Sequence, residues 1–255
     1  MNTPKLLTLI AALAAVIVVG VAGYVILRPP VALLSGAGID ATEISPNADG
    51  VDDITTIRYS LARPARVSVY FDGPDGERFY FRKDQRRSSG EYAVLFSGIV
   101  DGYRLPGEEF PGTIERRLIP NAVYQWTIEA VRDDETERAT GELAIVDGDS
   151  QLPLISAFEI HPPVFTPNQD GIRDRVSINL YLEKPANLSV YLEDAAGERY
   201  YLPERIEGRE PGDMGNHEFD YDGGVDQSME PPPDGTYDVV AVVQDDEGQR
   251  LVRQS

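Results

Sequence analysis

The sequence predicts an all-β fold, arranged as two tandem units behind one N-terminal apolar segment. Three observations predict it. A nine-residue motif occurs twice, as SPNADGVDD from Ser45 to Asp53 and as TPNQDGIRD from Thr166 to Asp174. Short runs in which apolar and polar residues alternate follow each copy. Ahead of both, Leu6 to Leu27 carries no charge.

The apolar segment comes first. LLTLIAALAAVIVVGVAGYVIL, taken as a helix rising about 1.5 Å per residue, spans roughly 33 Å, which matches a bilayer core. It exceeds the apolar region of about 7–15 residues found in cleavable signal peptides. The expectation is a short cytoplasmic N-terminus (1–5), a transmembrane signal-anchor helix (6–27), a linker (28–36), and a single-pass chain whose C-terminal domains are extracytoplasmic, at the cell surface or in the periplasm. Cleavage near Ala22-Gly23 is the competing reading. Lys5 and Arg28 flank the segment almost evenly, so local charge says little about orientation. Placing the long acidic remainder outside is the simplest assignment.

The repeat sets the domain organisation. Asn47, Asp49, Gly50 and Asp53 recur as Asn168, Asp170, Gly171 and Asp174, each displaced by 121 residues. Leu61, Pro64 and Ala65 return as Leu182, Pro185 and Ala186; Ser68, Val69 and Tyr70 as Ser189, Val190 and Tyr191; Gly76, Glu77 and Arg78 as Gly197, Glu198 and Arg199. No gap is needed between Ser45 and Tyr80. Beyond that the copies drift in length and realign near Asn121–Glu135 and Asp234–Glu247. A repeated block of this kind indicates duplicated structural units. The expected domains are 37–147 and 154–255, joined by a linker at 148–153. Each is near the commonest domain size and large enough for its own core.

Within each unit the pattern is that of strands. Ile57, Tyr59 and Leu61 alternate with Arg58 and Ser60, and Val176, Ile178, Leu180 and Leu182 do the same in the second copy. Val67, Val69 and Phe71 match Leu188, Val190 and Leu192, and Tyr124, Trp126, Ile128 and Ala130 match Tyr237, Val239, Ala241 and Val243. A period of two marks half-buried strands. Asp72-Gly73-Pro74-Asp75-Gly76 and Asp194-Ala195-Ala196-Gly197 carry turn chemistry between them. Several short strands per hundred residues, split by Gly and Pro turns, favour an immunoglobulin-like β-sandwich, here two in tandem.

Composition excludes several functions. The chain of 255 residues has no Cys, which removes disulfides, thiolate metal sites and Cys nucleophiles. Its formal charge is −20, with 21 acidic and 8 basic residues from Pro153 onward. That surface repels nucleic acid and attracts divalent cations. The two histidines, His161 beside Pro162-Pro163 and His217 in a Gly-containing stretch, are expected at the surface. No G-x-S-x-G, HExxH or phosphate-binding Gly loop occurs. Paired carboxylates are abundant, but a small sandwich rarely fixes two of them in a substrate cleft. The expectation is a non-enzyme.

The repeated motif admits two chemistries. Ca²⁺ takes several hard oxygen ligands at about 2.3–2.6 Å. Asn47, Asp49 and Asp53, and likewise Asn168, Asp170 and Asp174, offer such oxygens around one tight turn. The carbonyl of Val51 or Ile172 is a further candidate. Ser45 and Thr166 stand where a calcium loop has its first Asp, and Thr56 and Ser177 where it has its bidentate Glu. Any Ca²⁺ site here is therefore weak. The alternative is an Asx turn that starts a strand, with Asp53 or Asp174 capping free amides.

The order of features resembles the immunoglobulin-like domain of the flagellar hook-capping protein family, and is similar to C-terminal domains associated with bacterial gliding motility. These open on TPNxDGxxD, continue through a Pro-Ala turn and a G-E-R-like turn, and end on a W-D-G element and a G-x-Y strand. Tyr221-Asp222-Gly223 stands in the W-D-G position, and Gly235-Thr236-Tyr237 supplies the last element. In the first copy Phe96-Ser97-Gly98 and Asn121-Ala122-Val123-Tyr124 only approximate both. The resemblance covers about four fifths of the chain and implies the fold; it says little about function, since such sandwiches are attached to many unrelated proteins. The expected role is surface display, adhesion or scaffolding, with an unnamed protein or a surface polysaccharide as partner besides the membrane. The alternative is a carbohydrate-binding or appendage-assembly accessory module. Arg82, Lys83, Arg86 and Arg87 form one basic cluster, expected in a loop, that suits lipid headgroups or an acidic wall polymer.

Overall fold

A computed structural model describes residues 13–20, 31–205, 210–224 and 231–255. Residues 13–20 are helical. No described helix is long and apolar enough to cross a membrane, and the rest of the segment 6–27 lies outside the described residues. The chain is otherwise built of strands, so the all-β expectation holds.

In chain order the first half contains β1 (Leu34–Ile39), β2 (Glu43–Ile44), β3 (Thr55–Leu61), β4 (Ala65–Asp72), β5 (Arg78–Arg87), β6 (Gly90–Phe96), β7 (Ile99–Asp101), β8 (Thr113–Leu118), β9 (Ala122–Arg132) and β10 (Glu135–Ile145). The second half contains β11 (Ile155–His161), β12 (Val176–Leu182), β13 (Asn187–Glu193), β14 (Arg199–Tyr201), β15 (Gly215–Tyr221), β16 (Asp238–Gln244) and β17 (Arg250–Gln254). The first half makes a sheet β1-β3-β6 and a sheet β2-β10-β9-β4-β5. The second half makes β11-β12-β15, and its other sheet runs β14-β13-β16-β17-β8-β7. The last two strands of that sheet come from the first half.

Period-two alternation decides which side chains are buried. Ile57, Tyr59 and Leu61 of β3 point inward, as do Val67, Val69 and Phe71 of β4, and they join one core with Ile128 and Ala130 of β9. That core draws on both sheets of the first half. A second core joins Val176, Ile178, Leu180 and Leu182 of β12 to Val190, Val239, Ala241, Val243 and Leu251. One glycine is forced by packing. Gly141 on β10 faces Trp126 on β9, and a Cβ there would lie 2.4 Å from the indole ring.

The segment between β6 and β9 is where the two copies drift in length, and the structure gives the reason. It forms the β7–β8 hairpin, and β8 pairs antiparallel with β17, Leu251 opposite Ile114 and Val252 opposite Thr113. Ile114 belongs to the second core, whereas Val100 of β7 and Ile119 just past β8 belong to the first. In the first half β2 occupies the corresponding position, pairing parallel with β10. An exposed strand edge invites unwanted pairing; β8 covers the edge of β17.

Buried polar groups tie the same junction. Gln249, fully buried, donates from Nε2 to Asp149 O at 3.1 Å, Gln151 O at 2.8 Å and Asp245 Oδ2 at 2.8 Å. Lys184 Nζ meets Asp149 at 2.9 Å, Asp245 at 2.9 Å and Glu247 at 2.8 Å. Burial alone would pull the Lys184 ammonium down, but hydrogen bonds to Glu247, Asp149 and Asp245 outweigh it and hold it above the ordinary lysine value. Burial likewise raises the Asp245 carboxyl, against the pull of Lys184 and Gln249.

Removing the ammonium leaves the buried Asp245 and Glu247 carboxylates facing one another. Lys184→Met is expected to cost about 3–5 kcal/mol, read by denaturant unfolding of the full chain. A raised folded-state value means that the Lys184 contribution is complete below the ordinary lysine range and fades as pH rises past it. The difference between variant and parent should therefore stay constant through neutral pH and shrink only in strong alkali.

Candidate functional site

The two repeated turns have the same backbone. Ala48, Gly50 and Asp52 have φ of 61°, 86° and 54°, and Gln169, Gly171 and Arg173 have 60°, 84° and 57°. Three left-handed residues within one short loop turn several amides toward its centre, and such concavities bind anions. Here the anion is built in. Asp53 accepts from the amides of Asn47 (3.0 Å) and Ala48 (2.9 Å) through Oδ1, and from Gly50 (2.7 Å) through Oδ2. Asn47 Oδ1 accepts from Asp49 N, and Asp49 Oδ1 from Val51 N.

The second copy repeats these contacts: Gly171 N donates to Asp174 Oδ2 at 2.7 Å, Asp170 N to Asn168 Oδ1, and Ile172 N to Asp170 Oδ1. Asn168 Nδ2 also donates to Asp170 Oδ2. The copies differ in the Asn168–Asp170 side-chain bond and at the last carboxylate, since Asp53 Oδ1 accepts two amides whereas Asp174 Oδ1 is buried without a hydrogen-bond partner among the described residues. The structure thus gathers Asn47, Asp49 and Asp53 in one turn, and Asn168, Asp170 and Asp174 in the other.

Ser45 and Thr166 have a role that the sequence did not show. Their hydroxyls donate to the carbonyls of Val51 and Ile172 at 3.2 Å in both cases. Those are the carbonyls named above as extra cation ligands. Every feature the Asx-turn reading requires is present. A hydrogen-bonded oxygen keeps a second lone pair, so these bonds do not by themselves bar a cation. Among the described residues no group of three or more His, Asp or Glu side chains is gathered to hold a metal. The Asp53 carboxyl feels burial, which would raise it, but the three amides outweigh this and hold it below the ordinary carboxylate range.

Two expectations about single residues are corrected. His217 is not at the surface: it lies on β15, 1% exposed, with Nδ1 2.6 Å from Glu204 Oε1 and Nε2 2.7 Å from the Asp213 carbonyl. Its cross-strand neighbour is Leu180, as Tyr92 is the neighbour of Tyr59 in the first half. It is enclosed at the β12–β15 pair, and its partners need a polar residue. Arg82, Lys83, Arg86 and Arg87 are not in a loop; they lie on β5, the edge strand of its sheet.

The repeat also carries an outward-facing cluster that sequence reading passed over. Arg78 stacks 3.9 Å from the Tyr70 ring centroid and pairs with Asp72, while Tyr80 lies 5.6 Å from Tyr70. Arg199 stacks 4.8 Å from Tyr191 and pairs with Glu193, with Tyr201 at 5.2 Å. The same offset of 121 relates all of these, the acid changing from Asp72 to Glu193, so the signal was in the alignment.

No protein-family model matches the chain, and no curated protein does. A solved structure described as a YadV chaperone is 12% identical, with 88% of this chain and 99% of that one covered and a TM-score of 0.27; a likeness at that level carries no argument.

Substitution separates the two chemistries of the turn. Asp53→Ala removes the acceptor for three amides and is expected to lower the unfolding temperature equally in calcium and in chelator. A loss confined to calcium would instead assign a cation site. Because the Asp53 value is depressed in the folded chain, its contribution is present above about pH 4 and lost as pH falls further; Asp53→Asn should flatten that part of the acid unfolding profile.

Proposed function

We propose that the chain is a non-enzymatic, membrane-anchored scaffold that holds two immunoglobulin-like sandwiches as one stiff extracytoplasmic rod for display or adhesion. The observation that carries this reading is the β8–β17 pairing, in which one half completes a sheet of the other. A flexible pair of modules would need no such strand. Gln249 and Lys184, buried at the same junction, add hydrogen bonds that hold only in one arrangement.

Several features support the sandwich assignment. The strand orders β1-β3-β6 and β2-β10-β9-β4-β5 place strands as in immunoglobulin-like folds. Tyr124 OH donates to Pro120 O at 2.7 Å, and Tyr237 OH to Pro233 O at 2.5 Å. A tyrosine that bonds back to the backbone a few residues upstream, near the start of a late strand, is the tyrosine corner of such sandwiches. Gly98 and Gly223, which follow β6 and β15, share positive φ of 76° and 79°, so the poorer first copy of the W-D-G-like element keeps the backbone of the second.

The carbohydrate-binding alternative calls for a row of open rings on one sheet. Tyr70 and Tyr191 are instead 6% and 5% exposed beneath their arginines, and Tyr201, 63% exposed beside Tyr191, is a single open ring and not a row. The outer faces are better suited to stiffening than to stacking sugars.

Two measurements test the proposal. After carbonate washing, the full chain is expected to stay in the membrane; release would remove the anchor. The chain has no native Cys, so spin labels at Ser89→Cys and Ala195→Cys report one distance across the junction. A single narrow distribution is expected, broadened by Lys184→Met. A broad distribution in the unmodified junction would exclude a stiff rod.

A further inference from the structure

The basic edge strand β5 is not explained by the scaffold role. Arg82 donates to the Phe81 carbonyl, Lys83 lies 4.9 Å from the Tyr80 ring centroid, and Arg87 donates to Gln85. Neighbouring cations are neutralised: Arg63 pairs with Glu135, Arg66 with Asp84, and Arg132 with Asp133. Among the described residues, none of Arg82, Lys83, Arg86 and Arg87 has a carboxylate within ion-pair distance. The chain carries 43 acidic residues, so four adjacent cations without one are a feature to be accounted for. Burial and the nearby guanidiniums of Arg116 and Arg87 depress the Arg82 value, against the opposing pull of Asp101.

Register shows where this strand ends. Leu34 pairs with Leu61, Leu61 with Gly90, and Ala65 with Arg87. The start of β1 and the turn after Arg87 therefore lie at the same end of the first half. The Ala62 amide bonds the Leu33 carbonyl at that end as well. Only a few residues separate Leu33 from the apolar segment 6–27. If that segment sits in a bilayer, Arg86, Arg87, Ser88 and Ser89 lie on the end of the rod nearest the headgroups. The SPNADGVDD turn and the second half lie toward the other end.

We propose that the β5–β6 end, through Arg86 and Arg87 with Lys83 behind them, docks on the phosphates of anionic lipid headgroups and sets the rod's tilt against the membrane. The proposal rests on the anchored reading above. The acidic side chains at this end are consistent with it. Asp133 and Glu135 are paired and Glu137 accepts from the Leu34 amide, which leaves Asp134 and Glu91 exposed and limits contact to the β5 side. The strongly negative remainder is repelled by the same surface, which favours an upright rod resting on one basic corner. Screening confines both effects to about 8 Å at physiological salt, so the acidic remainder is repelled only when the rod tips toward the bilayer.

The absence of Cys permits the test. The full chain, labelled at Ser89→Cys with a donor dye, is reconstituted in vesicles carrying an acceptor on a headgroup. One set is phosphatidylcholine alone, and the other contains phosphatidylserine as well. Energy transfer is expected to rise in the anionic vesicles and to fall back in high salt. Each basic residue near such a surface is worth roughly a fivefold change in occupancy, so Arg86→Gln with Arg87→Gln should shift the docked-to-free ratio by about 25-fold. A label at Ser255→Cys, at the other end of the second half, should show no gain. If the chain stays in the vesicles after a carbonate wash but transfer is equal in both lipids, docking is overturned and the anchor survives. If the wash releases the chain, the anchor reading falls and this proposal with it. If soluble polyphosphate alters transfer in neutral vesicles while phosphatidylserine does not, the strand serves a soluble polyanion and the membrane proposal is overturned.

Discussion

The pairing of β8 with β17 is the constraint on which the rest of the molecule depends. Without it β17 would be an open edge carrying unsatisfied amides and carbonyls, beside a core whose Leu251 is fully buried. Edge strands are commonly shortened, charged or covered, and this chain uses each device. β2, β7 and β14 are two or three residues long, β5 carries cations, and β17 is covered by a strand from the other half. The covering strand is flanked by Val100 and Ile119 of the first core while its own Ile114 enters the second. The two halves thus meet through strand pairing rather than through a loose linker.

Such a junction has to be polar as well as apolar. The backbone of residues 147–152 leaves the first half with carbonyls that strand pairing does not satisfy. Gln249 satisfies two of them, those of Asp149 and Gln151, from one amide nitrogen. Lys184 then neutralises the carboxylates that the tight turn at Asp245–Gly248 brings together. Buried ion pairs add little net stability against an apolar substitute of similar shape, but losing one partner is costly. Their value here is geometric, because one ammonium meets Asp149, Asp245 and Glu247 only when the linker and the β16–β17 turn are in register.

Much of this was legible in sequence, and the reasons differ by element. Alternation in β3, β4, β12 and β13 is strong because one face of each strand is core, so the period of two survives. The repeated turn was legible because Asn, Asp and Gly are needed at fixed places for left-handed backbone and amide capture. The β7–β8 hairpin was not. It has no counterpart among the described residues of the second copy, and partner choice between distant edges leaves no local mark. The burial of His217 is not legible because its polar partners, Glu204 and the Asp213 carbonyl, are set by tertiary approach. β5 was taken for a loop because its run of charge hides an edge strand whose inward residues, Phe79 and Phe81, precede the charges.

The repeat also shows what duplication preserved and what it released. Positions that fix backbone geometry changed least. The left-handed triplet, the corner tyrosines Tyr124 and Tyr237 and the glycines Gly98 and Gly223 recur, each serving a hydrogen bond or a φ that other residues adopt at a cost. Positions on the flanks diverged. Tyr92 stacks on Tyr59 at 4.9 Å, whereas the matching His217 pairs with Glu204 beside Leu180. Those flanks need only be filled and satisfied, so an aromatic stack and a hydrogen-bonded ring serve equally. Charge diverged furthest, with cations gathered on β5 and a strong acidic excess in the second half. Because one sheet contains strands of both halves, that asymmetry is not averaged by tumbling of one half against the other. It becomes a fixed dipole along the molecule, and whatever lies at the basic end meets a different surface from whatever lies at the acidic end.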